Sequence, residues 1–147
     1  TQDKKYPGAP FDLINLSYSQ VYRGYNYELR SNGLPTVVDA TRGQIVTFNG
    51  KPIVGAYSSD SGGITKNPCP SIFPKYCDAS GALKPEFTYL KGGIADPPGI
   101  VHNNAKIAAS HGVGISAIGA RAMIDQGKAF AEVIKYYFPG IDIQKLY

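Results

Sequence analysis

His111 stands between Ser110 and Gly112 in SHGVGIS (residues 110–116), with a second glycine at Gly114. Glycines at this spacing let the backbone around the imidazole bend tightly or take positive φ. An imidazole on such a bend, just ahead of a helix start, can serve as a general base, touch a ligand or hold a local hydrogen bond. The flanking glycines put ligand contact on an equal footing with a structural role. A second polar stretch, SSDSGG (Ser58–Gly63), brings the hydroxyls of Ser59 and Ser61, the Asp60 carboxylate and open backbone amides around Gly62 and Gly63. Short polar groups after a buried strand can hydrogen-bond a sugar or a peptide; the alternative is a solvated loop. No serine or cysteine sits in a nucleophile elbow with His111, which argues against a hydrolase triad.

Acid catalysis on a glycoside needs a carboxylic acid held at raised pKa, usually in an apolar pocket. None of the carboxylates lies in a context that demands burial. Glu86, in KPEFTYL, is the glutamate with aromatic neighbours, Phe87 and Tyr89, while Asp125 and Glu132 fall in helical segments and read as solvated. The two cysteines, Cys69 and Cys77, lie in CPSIFPKYC. A disulfide closing this short loop is the simplest reading and implies an oxidising compartment. Free thiols or a metal site are the alternatives. Zinc usually takes four ligands, and the two histidines, His102 and His111, lie far along the chain. Eleven tyrosines occur without a tryptophan. Tyrosine can stack on a sugar face, and for the cluster from Tyr18 to Tyr27, Tyr22 included, that use and ordinary packing both remain open.

The elements that position these groups are short. Residues 1–10 are polar and broken by Pro7, Gly8 and Pro10, and read as a loose arm. Leu34 to Thr41 reads as a helix, with Pro35 in the first turn and Gly43 as the stop. GQIVTF (Gly43–Phe48) and KPIVGAY (Lys51–Tyr57) flank Asn49-Gly50, a strong hairpin signal because both central residues of a type I′ turn need positive φ. Residues 66–105 carry many prolines and little periodicity, as a functional loop or an insertion held by the cysteines would. Ile115, Ile118, Ala122 and Met123 follow helical spacing with Ser116 as N-cap, and Gly127 ends that helix. Phe130, Val133, Ile134 and Tyr137 form the stripe of the next, which Pro139-Gly140 stops. The fold class is therefore α+β: β-hairpin first, two short C-terminal helices last, and a long irregular loop between.

A length of 147 residues bounds the chain to one domain with a real core. The net charge of +4 favours anionic partners. The basic residues are scattered, with no run longer than Lys4-Lys5, which argues against nucleic acid. No apolar run approaches the roughly 20 residues of a membrane span. Nothing points to a nucleotide, flavin, haem or metal cofactor. The chain begins at Thr1 rather than Met, as a processed protein or a fragment would.

Together these stretches resemble the SpoIID/LytB domain of bacterial sporulation lytic transglycosylases and amidase enhancers. FDLINLSYSQVYRGY (Phe11–Tyr25) is similar to the family segment ending in Gln-Val-Tyr-x-Gly. ATRGQIVTFNGKPIVGAYSSDSGGIT (Ala40–Thr65) resembles its Ala-Thr-x-Gly hairpin and Ser-Gly-Gly turn. SHGVGISAIGARAMIDQGKAFAEVIKYYFPG (Ser110–Gly140) resembles its Gly-His-Gly-x-Gly-x-Ser-Gln helix start and its Tyr-Tyr-Pro-Gly ending. The match takes in the family's C-terminal two-thirds and omits residues 66–105, a variable loop region within a partial domain spanning 11–147.

The resemblance implies binding, and often cleavage, of peptidoglycan glycan strands by a secreted, cell-envelope protein. It implies a substrate groove built from Ser59, Asp60, Ser61, Gly62, Gly63, His111, Gly112, Gly114, Ser116 and Tyr22. Catalytic members protonate the glycosidic oxygen with a glutamate upstream of the matched segment. This chain has no counterpart, so the expectation is binding without complete catalysis, with a missing N-terminal segment or other envelope proteins as further partners. The alternatives are an assembly subunit reusing the fold and one part of an active enzyme. Three positions depart from the pattern: Ile64 replaces a common histidine, Ala117 the usual glutamine, and Ile118 an aromatic residue. Loss of the histidine at 64 removes the nearest extra metal ligand to Cys69 and Cys77, which favours the disulfide.

Overall fold

The computed structural model describes residues 33–147 together with residues 8–10, 14, 26 and 30. Tyr22 and the other tyrosines of its cluster lie outside the described residues. The chain falls into two units, residues 1–42 and 43–147. In the first, helix α1 (Leu34–Ala40) starts with proline in its first turn, where a missing N–H costs nothing, and ends at Thr41. Arg42 pairs with Asp39 on its exposed side at 2.6 Å.

The second unit is α+β. Strand β1 (Gln44–Phe48) turns through Asn49 and Gly50 into β2 (Lys51–Pro52). Both turn residues have positive φ, 49° and 73°, as a type I′ turn demands. The segment read as the second hairpin arm then divides. Pro52 has no N–H for the ladder, and after the Ile53 amide bonds Val46 the chain turns at Val54–Ala56. Tyr57–Ser58 becomes β3 and pairs instead with β4 (Ile115–Ser116), in parallel. Strand β5 (Asp142–Lys145), not foreseen from sequence, completes the other sheet in the order β2-β1-β5, antiparallel throughout. Its sequence, DIQK, carries too little apolar alternation to read as a strand; it forms because β1 supplies the partner, Val46 opposite Ile143.

Helices α3 (Ala117–Asp125) and α4 (Phe130–Tyr137) follow β4. Ser116 caps α3: its Oγ accepts from the Gly119 amide at 3.4 Å. Met123, Val133 and Tyr137 form a small cluster between them. On α4, Val133 and Tyr137 are buried while Phe130 lies half exposed.

The segment 66–105 is irregular in backbone yet supplies much of the core. Two 3₁₀ turns, Pro74–Tyr76 and Pro85–Leu90, bury Tyr76, Tyr89 and Leu90 against Val113, Phe138 and Ile141. The Tyr89 hydroxyl accepts from the Val54 amide at 2.8 Å, tying this segment to the hairpin. Cys69 and Cys77 form a disulfide, with Cα atoms 5.8 Å apart. Helix α2 (Asn104–Ala108) closes the segment's far end. No helix among the described residues is long and apolar enough to cross a membrane.

Candidate functional site

The turn after β3 is built on its own side chains. The Gly62 amide donates to Asp60 Oδ1 at 2.8 Å and the Gly63 amide to Ser61 Oγ at 3.2 Å. Successive positive φ values, 76° and 98°, explain the two glycines. The amides read as open from sequence are therefore engaged within the turn. Asp60, expected to line a substrate groove, is 1% exposed, and Ser58 and Ser61 are buried with it, whereas Ser59 is exposed. The sequence gives no local sign of this, because the partners come from far along the chain.

Those partners lie in the segment 66–105 and at its end. Gly63–Thr65 runs antiparallel to Gly93–Asp96: the Thr65 amide bonds the Ile94 carbonyl and the Asp96 amide bonds the Gly63 carbonyl. This short ladder sets the Asp96 carboxylate against the turn. Asp96 Oδ2 accepts from Ser61 Oγ at 2.7 Å and from Ser116 Oγ at 2.9 Å, and Oδ1 accepts from the Tyr137 hydroxyl at 2.6 Å. One carboxylate thus gathers the β3 turn, the start of α3 and the end of α4. Gly119 leaves room for it: a Cβ there would overlap the Tyr137 hydroxyl and Asp96 Oδ1. Burial, then the bond to Asp96 and its charge, push the Tyr137 phenol upward, so it stays protonated and donates.

Asp60 gathers the other side. Its Oδ1 meets His102 Nδ1 at 2.9 Å and its Oδ2 accepts from the Asn103 amide at 2.8 Å. Asn103 is also the N-cap of α2, taking the Lys106 amide on its side chain. Burial pushes the Asp60 carboxyl up, but the amides of Asn103 and Gly62 and the bond and charge of His102 outweigh it and hold the group below the usual carboxylate range. Asp60 is therefore ionised at neutral pH and accepts only. Asp60, Asp96 and His102 each bring a ligand-type atom within 4.8 Å of the others. Each carboxylate has three hydrogen-bond partners among the described residues.

Asp96 and His102 were not singled out from sequence; each sits in a proline-rich stretch with nothing local to mark it. Glu86, the glutamate with aromatic neighbours, is exposed. Asp125 and Glu132 are exposed and paired with Arg121 and Lys128.

His111 lies in the loop before β4. Gly112 and Gly114 have positive φ, and a Cβ on Gly114 would overlap the Ala56 carbonyl, so the loop can lie against β3 only with glycine there. His111 Nδ1 accepts from the Val113 amide at 3.0 Å, and the ring also bonds the backbone of Tyr57. The ring meets Phe73 edge-on, centroids 5.0 Å apart. Burial lowers its pKa, partly offset by the Tyr57 bond, so it is neutral at pH 7. The loop adjoins the turn through β3–β4 pairing, Ser58 opposite Ser116. Directly paired residues share a sheet face, which puts the Ser58 hydroxyl on the side where Ser116 holds Asp96. That hydroxyl is buried and has no hydrogen-bond partner among the described residues.

No protein-family model matches the chain. The chain is similar to Stage II sporulation protein D of Bacillus amyloliquefaciens, 24% identical over 185 aligned positions that take in 83% of this chain and 54% of that protein. It thus spans about half the length of the curated relative it matches, and the similarity supports a distant relationship to stage II sporulation protein D.

Proposed function

We propose that this chain binds peptidoglycan glycan strands as a secreted component of the cell envelope, in a role related to sporulation. The observation that carries the reading is the similarity to Stage II sporulation protein D over most of the chain. The polar cluster around the Ser61-Gly62-Gly63 turn supports the reading, since a few placed polar groups beside apolar surface can orient a neutral ligand. Ser59, exposed on that turn, and the His102 ring, partly exposed behind it, are the groups a glycan can reach. Asp60, Ser61, Asp96, Ser116 and Tyr137 hold the turn in shape. The disulfide fits an oxidising compartment.

Glycan cleavage would require a carboxylic acid in an apolar pocket. Asp60 is held ionised and cannot be that acid; in this reading the chain binds glycan without completing catalysis, and the proton donor comes from an additional segment or partner. Co-sedimentation with purified peptidoglycan tests the reading. The chain should pellet with the walls and release no anhydro-muropeptides on its own. A chain left in the supernatant refutes wall binding; release of anhydro products refutes the assignment of incomplete catalysis.

A further inference from the structure

We propose that Tyr136, with Ile64 and Ala95, forms an apolar platform that packs against the C–H face of a neutral sugar ring beside the Ser61-Gly62-Gly63 turn. The inference rests on the glycan reading above and supplies the stacking surface that the polar turn lacks.

The short ladder builds the platform. Ile64 and Ala95 stand directly opposite each other. The Asp96 amide bonds the Gly63 carbonyl and the Thr65 amide the Ile94 carbonyl, so the 64–95 pair lies between two hydrogen bonds and makes none across the ladder. The side chains of such a pair share one face and come closest together. Strand alternation fixes which face. Thr65 is buried, Ile94 packs on the cluster of Met123, Val133 and Tyr137, and Asp96 turns to Ser61, Ser116 and Tyr137. Ile64 and Ala95 therefore point the other way, and both are exposed, Ile64 by 58%. Backbone carbonyls of a pair that makes no cross-ladder bond point away from the ladder. The Ala95 carbonyl accepts from the Tyr136 hydroxyl at 2.7 Å, which sets Tyr136 at the outer edge beside Ala95.

Tyr136 is held although it is exposed. Its hydroxyl is tied to Ala95 and its ring meets that of Tyr137 at 89°, centroids 5.2 Å apart, yet 42% of the residue is open to solvent. Tyr137 is itself anchored in the core of α3 and α4. A tyrosine fixed in this way has little rotamer entropy left to lose when a ligand covers it. The three side chains carry no charge, so they select an uncharged surface. One face of a pyranose is a set of C–H bonds, and the electron-rich face of an aromatic ring attracts them. Three side chains fall far short of the roughly 800 Å² that a stable protein partner covers on each side, and they suit a single sugar ring. The turn leading into Ile64 adds the exposed Ser59. The fit is to an uncharged, hydroxyl-bearing ring such as an N-acetylated hexosamine.

The probe is tetra-N-acetylchitotetraose, titrated calorimetrically into the full chain and into Tyr136→Phe, Tyr136→Leu and Ile64→Ser, with proton NMR of the sugar beside the wild type. The wild type should bind, Tyr136→Leu should bind roughly three- to tenfold more weakly, and Tyr136→Phe, which keeps the ring, should stay within about twofold of the wild type. Ile64→Ser should also weaken binding. Sugar C–H protons should move upfield on binding, as protons over a ring face do. Equal affinity of Tyr136→Leu, a loss in Tyr136→Phe as large as in Tyr136→Leu, or unmoved sugar protons would overturn the inference; the second result would place the role of Tyr136 in its tie to Ala95. Should Tyr136→Leu not fold, Ile64→Ser and the wild-type spectra decide. If the wild type pellets with peptidoglycan but ignores the tetrasaccharide, the glycan reading stands and this inference falls; if it does neither, both fall.

Discussion

His111 commits both sides of its ring to its own chain, through the Val113 amide and the Tyr57 backbone, and packs edge-on against Phe73. His102 commits one nitrogen to Asp60 and leaves the other beside the Gly63 turn. By local sequence the first is the better site candidate, braced by Gly112 and Gly114; by hydrogen bonding the second keeps a ring nitrogen with no partner among the described residues. The difference lies in what each ring replaces. His111 satisfies backbone groups of a tight loop, a use that ends in stability. His102 is oriented by a buried charge, a use that leaves it something to offer.

The network behind His102 can be broken most severely at Gly119. Adding a methyl group there drives into Tyr137 and Asp96. Overpacking combined with loss of a buried hydrogen bond should cost about 3 kcal/mol, read as a lower urea midpoint for Gly119→Ala. An unchanged midpoint would mean that Asp96 does not tie α4 to the turn.

Asp60→Asn comes next. An amide in place of the ionised acceptor turns one N–H toward donors and should cost about 2 kcal/mol. Its pH dependence has a defined sign. The Asp60 carboxyl is depressed in the folded chain, so its contribution is full above the unfolded value of about 4 and fades as pH falls through the folded value. The variant should lose that part of the acid sensitivity. Equal acid sensitivity in both proteins would show that the donors around Asp60 do not favour its charge.

His111→Gln should cost about 1 kcal/mol, since a glutamine replaces the ring's bonds only in part. The His111 pKa is also depressed on folding. Here the unfolded chain takes up a proton first, so stability falls as pH drops below about 6.5. Thermal melts between pH 7 and pH 5 (a window set by that reference value) should be flatter for His111→Gln than for the wild type. A parallel slope would contradict the neutral, buried assignment. The smallest effect belongs to Ser58→Ala. Its hydroxyl is buried without a partner, so removal should be neutral or stabilising by up to about 1 kcal/mol; a marked loss would reveal a bond that the described residues do not contain.

How much of this was legible follows the range of the interactions. Asn49-Gly50 announced its turn and Ser116 its cap, because both depend on residues within three positions. The strand β5 was hidden, since DIQK is a strand only beside β1. The candidate site was half visible. Ser61 and Asp60 stood out as polar groups after a strand, but their burial arises from Asp96, His102 and Asn103, 35 to 43 residues further on. Those three sit in a stretch whose prolines and lack of periodicity read as loop. Its order comes instead from tyrosines in the core, from the disulfide and from a four-residue ladder against the turn, none of which leaves a periodic trace.

Glycan binding at the Ser61-Gly62-Gly63 turn would be seen in the amides of the second unit. Soluble glycan strands released from peptidoglycan, titrated into the ¹⁵N-labelled chain, should shift the amides of Ser59, Gly62, Gly63, His102 and Asn103 together while Gly127 and Gly140 stay still. Shifts confined to the exposed basic residues, or none at any concentration, would contradict it.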